Sequence, residues 1–92
     1  MKVESLKIEK EDNRGKIYNC DKVRLIERKA GSICADHEHK QGEVLFLIEG
    51  AIELTVGDKT VSLKAPKRIE IPAEIYHKLL AKTDIKLLEY RF

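Results

Sequence analysis

The sequence is poor in the residues on which several common architectures and functions depend. Its 92 residues include two cysteines, two prolines, one methionine, three tyrosines, two phenylalanines and no tryptophan. Two cysteines are too few for a disulfide scaffold, and so few aromatic rings leave little for stacking on nucleic-acid bases. No apolar run approaches the roughly 20 residues that a membrane-spanning helix needs. The sequence therefore predicts a small globular domain whose chemistry depends on charged residues and histidines.

Charge is abundant but balanced. Eighteen Lys and Arg residues stand against sixteen Asp and Glu residues, which gives a formal net charge of +2. The two signs are interleaved, without a basic block of the kind that binds nucleic acid, so we expect no nucleic-acid partner. The first twelve residues contain no apolar segment typical of a signal peptide. We expect no membrane partner and a cytoplasmic location, and we interpret residues 1–92 as one domain.

Short segments with alternating polarity, separated by turn residues, run along the chain. We predict a first strand at residues 3–9. The clearest alternation, at residues 51–56, places Ile52 and Leu54 on one face. Residues 43–49 form the most apolar run, and because glycines bound it on both sides we predict a strand buried on both faces. No segment keeps helical spacing for three turns. About nine such strands predict an all-β sandwich or barrel.

All three histidines fall in a pattern suited to metal binding. His37 and His39 are separated by one residue, so on a strand they share a face, roughly 6–7 Å apart along it. Glu43 follows a tight connection at residues 40–42, in which Gly42 is expected to use a positive φ. The reversed chain can then return the Glu43 carboxylate to the histidines. His77 lies between apolar residues of the same parity, which fits an interior position.

We therefore identify His37, His39, Glu43 and His77 as a candidate metal site. Three imidazoles and one carboxylate suit a divalent transition metal (Fe, Mn, Ni, Cu or Zn) rather than calcium or an iron–sulfur cluster. A six-coordinate ion would keep two positions open for a substrate or O₂, whereas four-coordinate zinc would be closed and structural. The alternative is that the His-x-His pair is simply a solvated part of a strand.

The cysteines Cys20 and Cys34 do not form a Cys-x-x-Cys pair. In a reducing cytosol we expect both to be free, half-buried thiols, and a disulfide between neighbouring strands is the alternative. Cys34 is offset by three residues from His37, which on a regular strand puts it on the opposite face. We therefore predict that it is not a metal ligand.

The segment around the first two histidines resembles the first cupin motif. Gly31, His37, His39, Glu43 and Gly50 match the pattern G-x5-H-x-H-x3-E-x6-G at every fixed position. Glycine makes up only about 7% of residues in general, so this combination at fixed offsets is specific.

The second cupin motif, G-x5-P-x-G-x2-H-x3-N, is matched in part. Pro72 and His77 stand at the expected spacing, while Pro66, Glu74 and Ala81 replace the two glycines and the asparagine. These departures alter turns and leave the proposed ligands in place.

The resemblance implies an all-β, single-domain cupin: a small jelly-roll β-barrel with a metal inside one end, bound by the four residues named above. Single-domain cupins commonly form homodimers, so the resemblance also favours a homodimer. An outward stripe of Val44, Phe46 and Ile48 on the predicted strand would supply the interface, because contiguous exposed apolar patches usually mark one.

Cupins with these ligands are similar to dioxygenases, isomerases, epimerases and cyclases that act on small oxygenated molecules. We therefore expect a small metalloenzyme with a small-molecule ligand, of which the sequence specifies neither substrate nor catalytic residues. Tyr18, Glu27, Glu74 and Tyr76 are candidates for positions near a pocket mouth. Two alternatives stay open: a non-catalytic module that binds or senses a small ligand, and a barrel in which the metal only stabilises the fold.

Overall fold

The computed structural model describes the backbone of residues 1–92 and the side chains of all residues except 36 and 37. This backbone forms ten strands and no helix, which confirms the all-β prediction, and it therefore includes no helix able to cross a membrane. The strands are β1 (Lys7–Asp12), β2 (Gly15–Cys20), β3 (Val23–Arg28), β4 (Ile33–His37), β5 (Glu43–Glu49), β6 (Ala51–Val56), β7 (Lys59–Lys64), β8 (Lys67–Ile71), β9 (His77–Ala81) and β10 (Ile85–Arg91).

The strands form two antiparallel sheets. The six-stranded sheet has the order β1-β2-β3-β10-β5-β8, and the four-stranded sheet has the order β4-β9-β6-β7. Consecutive strands such as β5 and β6 lie in different sheets, so the chain crosses repeatedly between the two layers. This arrangement is the jelly roll that the resemblance implies.

The core lies between the sheets and follows from alternation along each strand. Leu45 and Leu47 of β5 face Ile52 and Leu54 of β6 within one buried cluster, and Leu79 of β9 joins them. Successive side chains of a strand point to opposite faces, so each strand contributes every second residue. The prediction that Ile52 and Leu54 share the inward face of β6 is confirmed.

Gly50 and Gly42 are needed for different structural reasons. Gly50 has a φ of 94°, and a Cβ there would stand 2.3 Å from the Asp84 carbonyl oxygen, so only glycine fits this turn. Gly42 does not have the positive φ that we expected. A Cβ at Gly42 would instead lie 2.8 Å from the Phe92 ring, so the glycine admits the C-terminal aromatic side chain.

Two strands of the six-stranded sheet, β1 and β5, depart most from the sequence prediction. The first strand begins at Lys7 and not at residue 3, and it continues to Asp12 instead of ending at residue 9. The outward stripe of β5 is only partly exposed: Val44 is buried, Phe46 is half-buried and Ile48 is exposed. Pairing of β5 with both β10 and β8 explains this, because strands on both sides bring side chains over the start of β5.

Candidate metal centre

Three strand ends meet where the predicted ligands lie. The Cα atoms of His37 and His77 are direct partners at the end of β4 and the start of β9. Glu43 begins β5 and pairs with Arg91 at the end of β10. His39 lies in the connection between β4 and β5. Residues 34 positions or more apart in sequence are thus brought to one end of the jelly roll.

The donor atoms of His39, Glu43 and His77 all lie within 4.8 Å of one another. Glu43 Oε1 is 3.0 Å from His77 Nε2, and Glu43 Oε2 is 3.8 Å from His39 Nε2. The two imidazole rings are 5.3 Å apart between centroids and inclined at 47°. The carboxylate therefore stands between two imidazoles that both present Nε2 toward it.

These separations fit a metal ion. Ligands with bonds of about 2.1 Å lie ~3 Å apart at right angles and ~4 Å apart across an octahedral ion. The distances from His77 Nε2 to Glu43 Oε1 and from His39 Nε2 to Glu43 Oε2 fall within this range, and all three donor groups lie within 4.8 Å of one another. The donor set of imidazole nitrogens and carboxylate oxygen suits a divalent transition metal.

The His37 side chain lies outside the described residues, so the prediction for its side chain stays a prediction. Among the described side chains, the structure brings together three of the four predicted ligands, His39, Glu43 and His77.

The backbone holds the ligands in orientation. His77 Nδ1 lies 3.3 Å from the Ile75 carbonyl oxygen, and because a carbonyl only accepts, this contact is a hydrogen bond in the tautomer that carries the proton on Nδ1. A backbone carbonyl that accepts from Nδ1 is the usual support of a histidine that ligates through Nε2. The Glu74 amide donates to the His39 carbonyl oxygen at 2.6 Å, which ties the His39 segment to the β8–β9 connection. Glu74, which replaces the second glycine of the motif, adopts a φ of 61°.

The surroundings of Glu43 are charged as well as buried. Burial raises the pKa of Glu43, and the neighbouring Glu89 carboxylate raises it further, whereas His77 and Arg91 oppose the shift. Arg91 Nε lies 3.8 Å from Glu43 Oε2 and 3.5 Å from Glu89 Oε1. Glu89 also accepts from Arg24 Nη1 at 3.0 Å. A cation at this centre would favour the ionised form of Glu43.

A cavity of about 550 Å³ opens beside the centre, with Glu43 in its wall. It combines five cationic side chains, two carboxylates and a small set of apolar groups. Its lining residues are Lys10, Arg14, Ile17, Arg24, Ile26, Arg28, Ile33, Cys34, Ala35, Glu43, Glu89 and Arg91. The volume is typical of sites for small molecules.

The charged lining was missed at the sequence level, although a signal was present. On β3, Arg24 and Arg28 stand two residues before and after the core residue Ile26, so regular alternation places all three on one face. On β10, Glu89 and Arg91 stand two and four residues after the core residue Leu87 and share its face in the same way. Charged residues at inward positions of an alternating strand are rare without a functional reason.

Cys34 lies at an irregular position of β4. The β4–β9 register shifts between Ile33 and Ala35, which breaks the regular alternation, and Cys34 lines the cavity instead of facing away. The described cluster of candidate metal ligands consists of His39, Glu43 and His77, and the prediction that Cys34 is not a ligand stays a prediction. Both cysteines are free and half-buried, which is confirmed.

The four residues proposed near a pocket mouth are not among the described residues that line this cavity. Glu27 borders a separate surface cavity with Lys16 and Lys86. Tyr76 contributes its carbonyl oxygen, which accepts from the Gly57 amide at 2.8 Å.

Comparison with solved structures supports the architecture. The chain is similar to an RmlC-like cupin from Shewanella frigidimarina, with a TM-score of 0.81, 19% identity, and coverage of 94% of this chain and 82% of that one. It is also similar to the capsular polysaccharide assembling protein CapF from Staphylococcus aureus, with a TM-score of 0.81 and 18% identity over 97% of this chain. A third similar structure is salicylate 1,2-dioxygenase from Pseudaminobacter salicylatoxidans, with a TM-score of 0.71 and 19% identity over 82% of this chain.

The chain corresponds to one part of the longer relatives, because it spans 28% of the CapF chain and 20% of the dioxygenase chain. CapF has been solved with the inhibitor 3-isopropenyl-tropolone, and a variant of the dioxygenase has been solved with gentisate. A sequence comparison with curated proteins finds no match. At these identities the likeness to solved structures speaks for the fold. The family model of the cupin domain matches residues 24–89, and the chain therefore belongs to the cupin family.

Proposed function

We propose that this cupin binds one divalent transition metal (Fe, Mn, Ni, Cu or Zn) through His37, His39, Glu43 and His77, and that the metal holds a small oxygenated molecule in the adjacent cavity. The observation that carries the proposal is the convergence of the three described donor side chains within 4.8 Å. Bound there, a metal with open positions would polarise a carbonyl or hydroxyl oxygen of the ligand.

The residues of the chain have separate roles in this proposal. The Ile75 carbonyl keeps the His77 proton on Nδ1, so that Nε2 faces Glu43. The Ile17 and Ile26 side chains form an apolar part of the wall, which excludes water from the ligand. Arg91 lies close to both Glu43 and Glu89, and its positive charge offsets the negative charges of these two neighbouring carboxylates.

The proposed activity is that of a small metalloenzyme of the dioxygenase, isomerase or cyclase type. The fold likeness to salicylate 1,2-dioxygenase supports it only at the level of architecture. The open positions expected around a six-coordinate ion with four protein ligands supply the chemical support.

The first test is elemental analysis of protein purified without a nickel column or chelator, followed by thermal melts with and without EDTA. Stoichiometric Fe, Mn, Ni or Cu would support a reactive centre and direct assays toward O₂ uptake and isomerisation. Stoichiometric zinc with a large loss of stability in EDTA would favour a structural metal. The absence of any metal, with no response to added ions, would contradict the proposed metal function.

A second candidate is a non-catalytic module that binds or senses a small ligand. The observation that favours it concerns Cys34 and Glu89, two side chains of the described cavity lining that could otherwise transfer a proton to or from a substrate. Burial raises the pKa of the Cys34 thiol to about 11, so it stays protonated at neutral pH. Glu89 is engaged by Arg24 and Arg91. A site with bound metal, a measurable ligand affinity and no turnover would favour this candidate.

We further propose that the protein is a homodimer located in the cytoplasm. Residues 1–92 form one domain, and neither nucleic acid nor a membrane is a partner. The outer face of the six-stranded sheet supports the dimer. Ile48, Tyr90 and Phe92 are exposed there, and the Tyr90 and Phe92 rings stack with centroids 6.5 Å apart. Contiguous exposed apolar groups usually mark an interface.

A further inference from the structure

Arg28 is a buried cation in the cavity wall that lacks a carboxylate partner among the described side chains. The residue is only 5% exposed. Its Nη1 donates to the Glu27 carbonyl oxygen at 3.1 Å, while its buried Nε–H donates to none of the described acceptors. Buried charged groups are normally paired, so Arg28 is an exception that calls for a physical reason.

The other arginines of the cavity wall are already neutralised by carboxylates. Arg14 binds Asp12, with Nη2 to Oδ2 at 2.8 Å and Nε to the same oxygen at 3.2 Å. Arg24 donates to Glu9 and to Glu89, each at 3.0 Å. These carboxylates bind other arginines directly. Among the described side chains, Arg28 has a longer-range attraction to Asp12 and no ion pair of its own.

The fold retains this charge although burial opposes it. Burial lowers the pKa of the Arg28 guanidinium, yet an arginine does not lose its proton in a protein. The nearby Cys34 thiol offers no counter-charge, because it is neutral at physiological pH. An apolar residue of similar size would be tolerated equally well or better at such a position. The guanidinium is therefore better explained by a partner from outside the chain.

Arg28 and the metal centre lie toward opposite ends of the cavity. Arg28 pairs with Ile85 at the start of β10, whereas Glu43 pairs with Arg91 at its end. At a rise of about 3.3 Å per residue, the two positions are roughly 20 Å apart along β10 at the backbone. Long side chains reach inward from both ends, and both residues line the same 550 Å³ space.

We propose that the cavity accepts a small organic molecule with a terminal carboxylate or phosphate, and that this anionic group binds the Arg28 guanidinium at the end remote from the metal centre. The planar fork of arginine suits either oxyanion, since both accept two parallel hydrogen bonds. The inference rests on the proposed function for the other end of the ligand, which carries the metal-binding oxygen.

The test is isothermal titration of the full chain with malonate and with inorganic phosphate, in metal-free and metal-loaded form. Metal-free protein isolates the Arg28 subsite, because an anion there cannot bind to a metal. We expect at least one anion to bind metal-free protein, and its identity distinguishes a carboxylate ligand from a phosphate ligand. Arg28→Met should weaken this binding roughly 10- to 100-fold, as expected for lost hydrogen bonds to a charged group.

Arg68→Met is the matched control. Arg68 is exposed on β8, outside the cavity, and donates to Glu70 at 3.1 Å. The substitution removes the same charge, so it separates a local contact from a change in net charge. Equal anion affinity in wild type, Arg28→Met and Arg68→Met would overturn the proposal, as would the failure of wild type to bind either anion.

Thermal melts of metal-free Arg28→Met separate ligand binding from a structural role. If the guanidinium serves a ligand, the melting temperature stays level or rises while anion binding is lost. A lower melting temperature with unchanged anion affinity would refute the proposal. If Arg28→Met does not fold, Arg28→Lys keeps the charge without the fork, and anion affinity equal to that of wild type in this variant would also refute it.

Metal titration of the same samples keeps the two hypotheses apart. Arg28-dependent anion binding in a protein that takes up no metal would support the anion site and contradict the metal function. Stoichiometric metal uptake with equal anion affinity in every variant would contradict the anion site alone.

Discussion

Glu43 Oε1 and His77 Nε2 face each other at 3.0 Å in the buried end of the jelly roll. In the tautomer whose Nδ1 donates to the Ile75 carbonyl, a neutral His77 presents a lone pair to the carboxylate. Two acceptors at this distance need a shared proton or a cation between them. A metal ion supplies that positive charge without a proton, which is why we regard the pair as the centre of the site.

Removing one predicted ligand should abolish tight metal binding without unfolding the protein. We expect His39→Ala to weaken metal affinity by more than about 100-fold, since loss of a ligand exceeds the 10- to 100-fold effect of an outer-shell change. His39 lies in a connection, outside the buried core cluster, so the fold should persist at moderate temperature. Metal stoichiometry by elemental analysis and circular dichroism measure the two effects. Glu38→Ala, next to it and exposed, is the control, and a metal-replete His39→Ala protein would contradict the assignment.

Acid should release the metal and the stability that it supplies. Ligand histidines must be neutral, and free histidine titrates near pH 6.5, so metal loss is expected as pH falls toward about 5. Binding to the folded state alone stabilises it, so the melting temperature should fall with metal occupancy. Melts with and without EDTA between pH 5 and 8 should therefore differ at pH 8 and converge near pH 5. A constant EDTA effect over this range would contradict histidine ligation.

Cys34 should make stability decrease in alkaline solution. Burial raises its pKa to about 11, above the ordinary thiol value of about 8.5 to 9. A raised pKa means that the folded state favours the protonated thiol, so this contribution is intact below about pH 9 and is lost as pH rises toward 11. The decrease is about 2 to 3 kcal/mol in the free energy of unfolding. Urea denaturation of wild type and Cys34→Ala at pH 8 and pH 10.5 tests it, with Cys20→Ala as the control. Parallel pH profiles of wild type and Cys34→Ala would count against a buried neutral thiol.

Glu74→Gly should stabilise the protein slightly. Glu74 has a φ of 61°, a conformation that costs a non-glycine residue roughly 1–2 kcal/mol, part of which the flexibility of glycine offsets. We expect the free energy of unfolding to rise by about 0.5–1 kcal/mol in urea denaturation. Asp21→Gly is the comparison, because Asp21 has a φ of 65° but aspartate tolerates this region better. A loss of stability in Glu74→Gly would indicate that its side chain makes a contribution larger than the backbone strain.

A charge on the outer face of the six-stranded sheet should disrupt the proposed homodimer. Ile48 is 49% exposed on this face, and Val61 is 48% exposed on the edge strand of the other sheet, which makes it a matched control. We expect Ile48→Lys to run as a monomer or to become insoluble, while Val61→Lys keeps the mass of wild type in size-exclusion chromatography with light scattering. A soluble Ile48→Lys protein of unchanged dimer mass would place the interface elsewhere.

Much of the fold was predictable because its signals are local. Alternation over residues 51–56 and the apolar run over residues 43–49 gave strands whose bounds match β6 and β5. A period of two residues is a property of each strand by itself. The spacing of His37, His39, Glu43 and His77 likewise pointed to one site, and the structure brings the three described donors together.

Other features depend on which strands become neighbours, and these were not predictable from local pattern. The exposure of β1 follows from its place at the edge of the six-stranded sheet, and the burial of Val44 follows from flanking strands. The shift in register between Ile33 and Ala35 turns Cys34 into the cavity, and a shift of this kind comes from pairing with β9.

The amino-acid sequence by itself determined strands such as β5 and β6, the inward face of β6 and the candidate metal ligands, because each of these depends on residues close together or on a fixed spacing. Only the tertiary structure decided which charges meet inside the cavity. It paired Arg14 with Asp12 and Arg24 with Glu9 and Glu89, and it left Arg28 without a described carboxylate partner. Electrostatic compensation depends on distances across the sheets, and strand order and register set these distances.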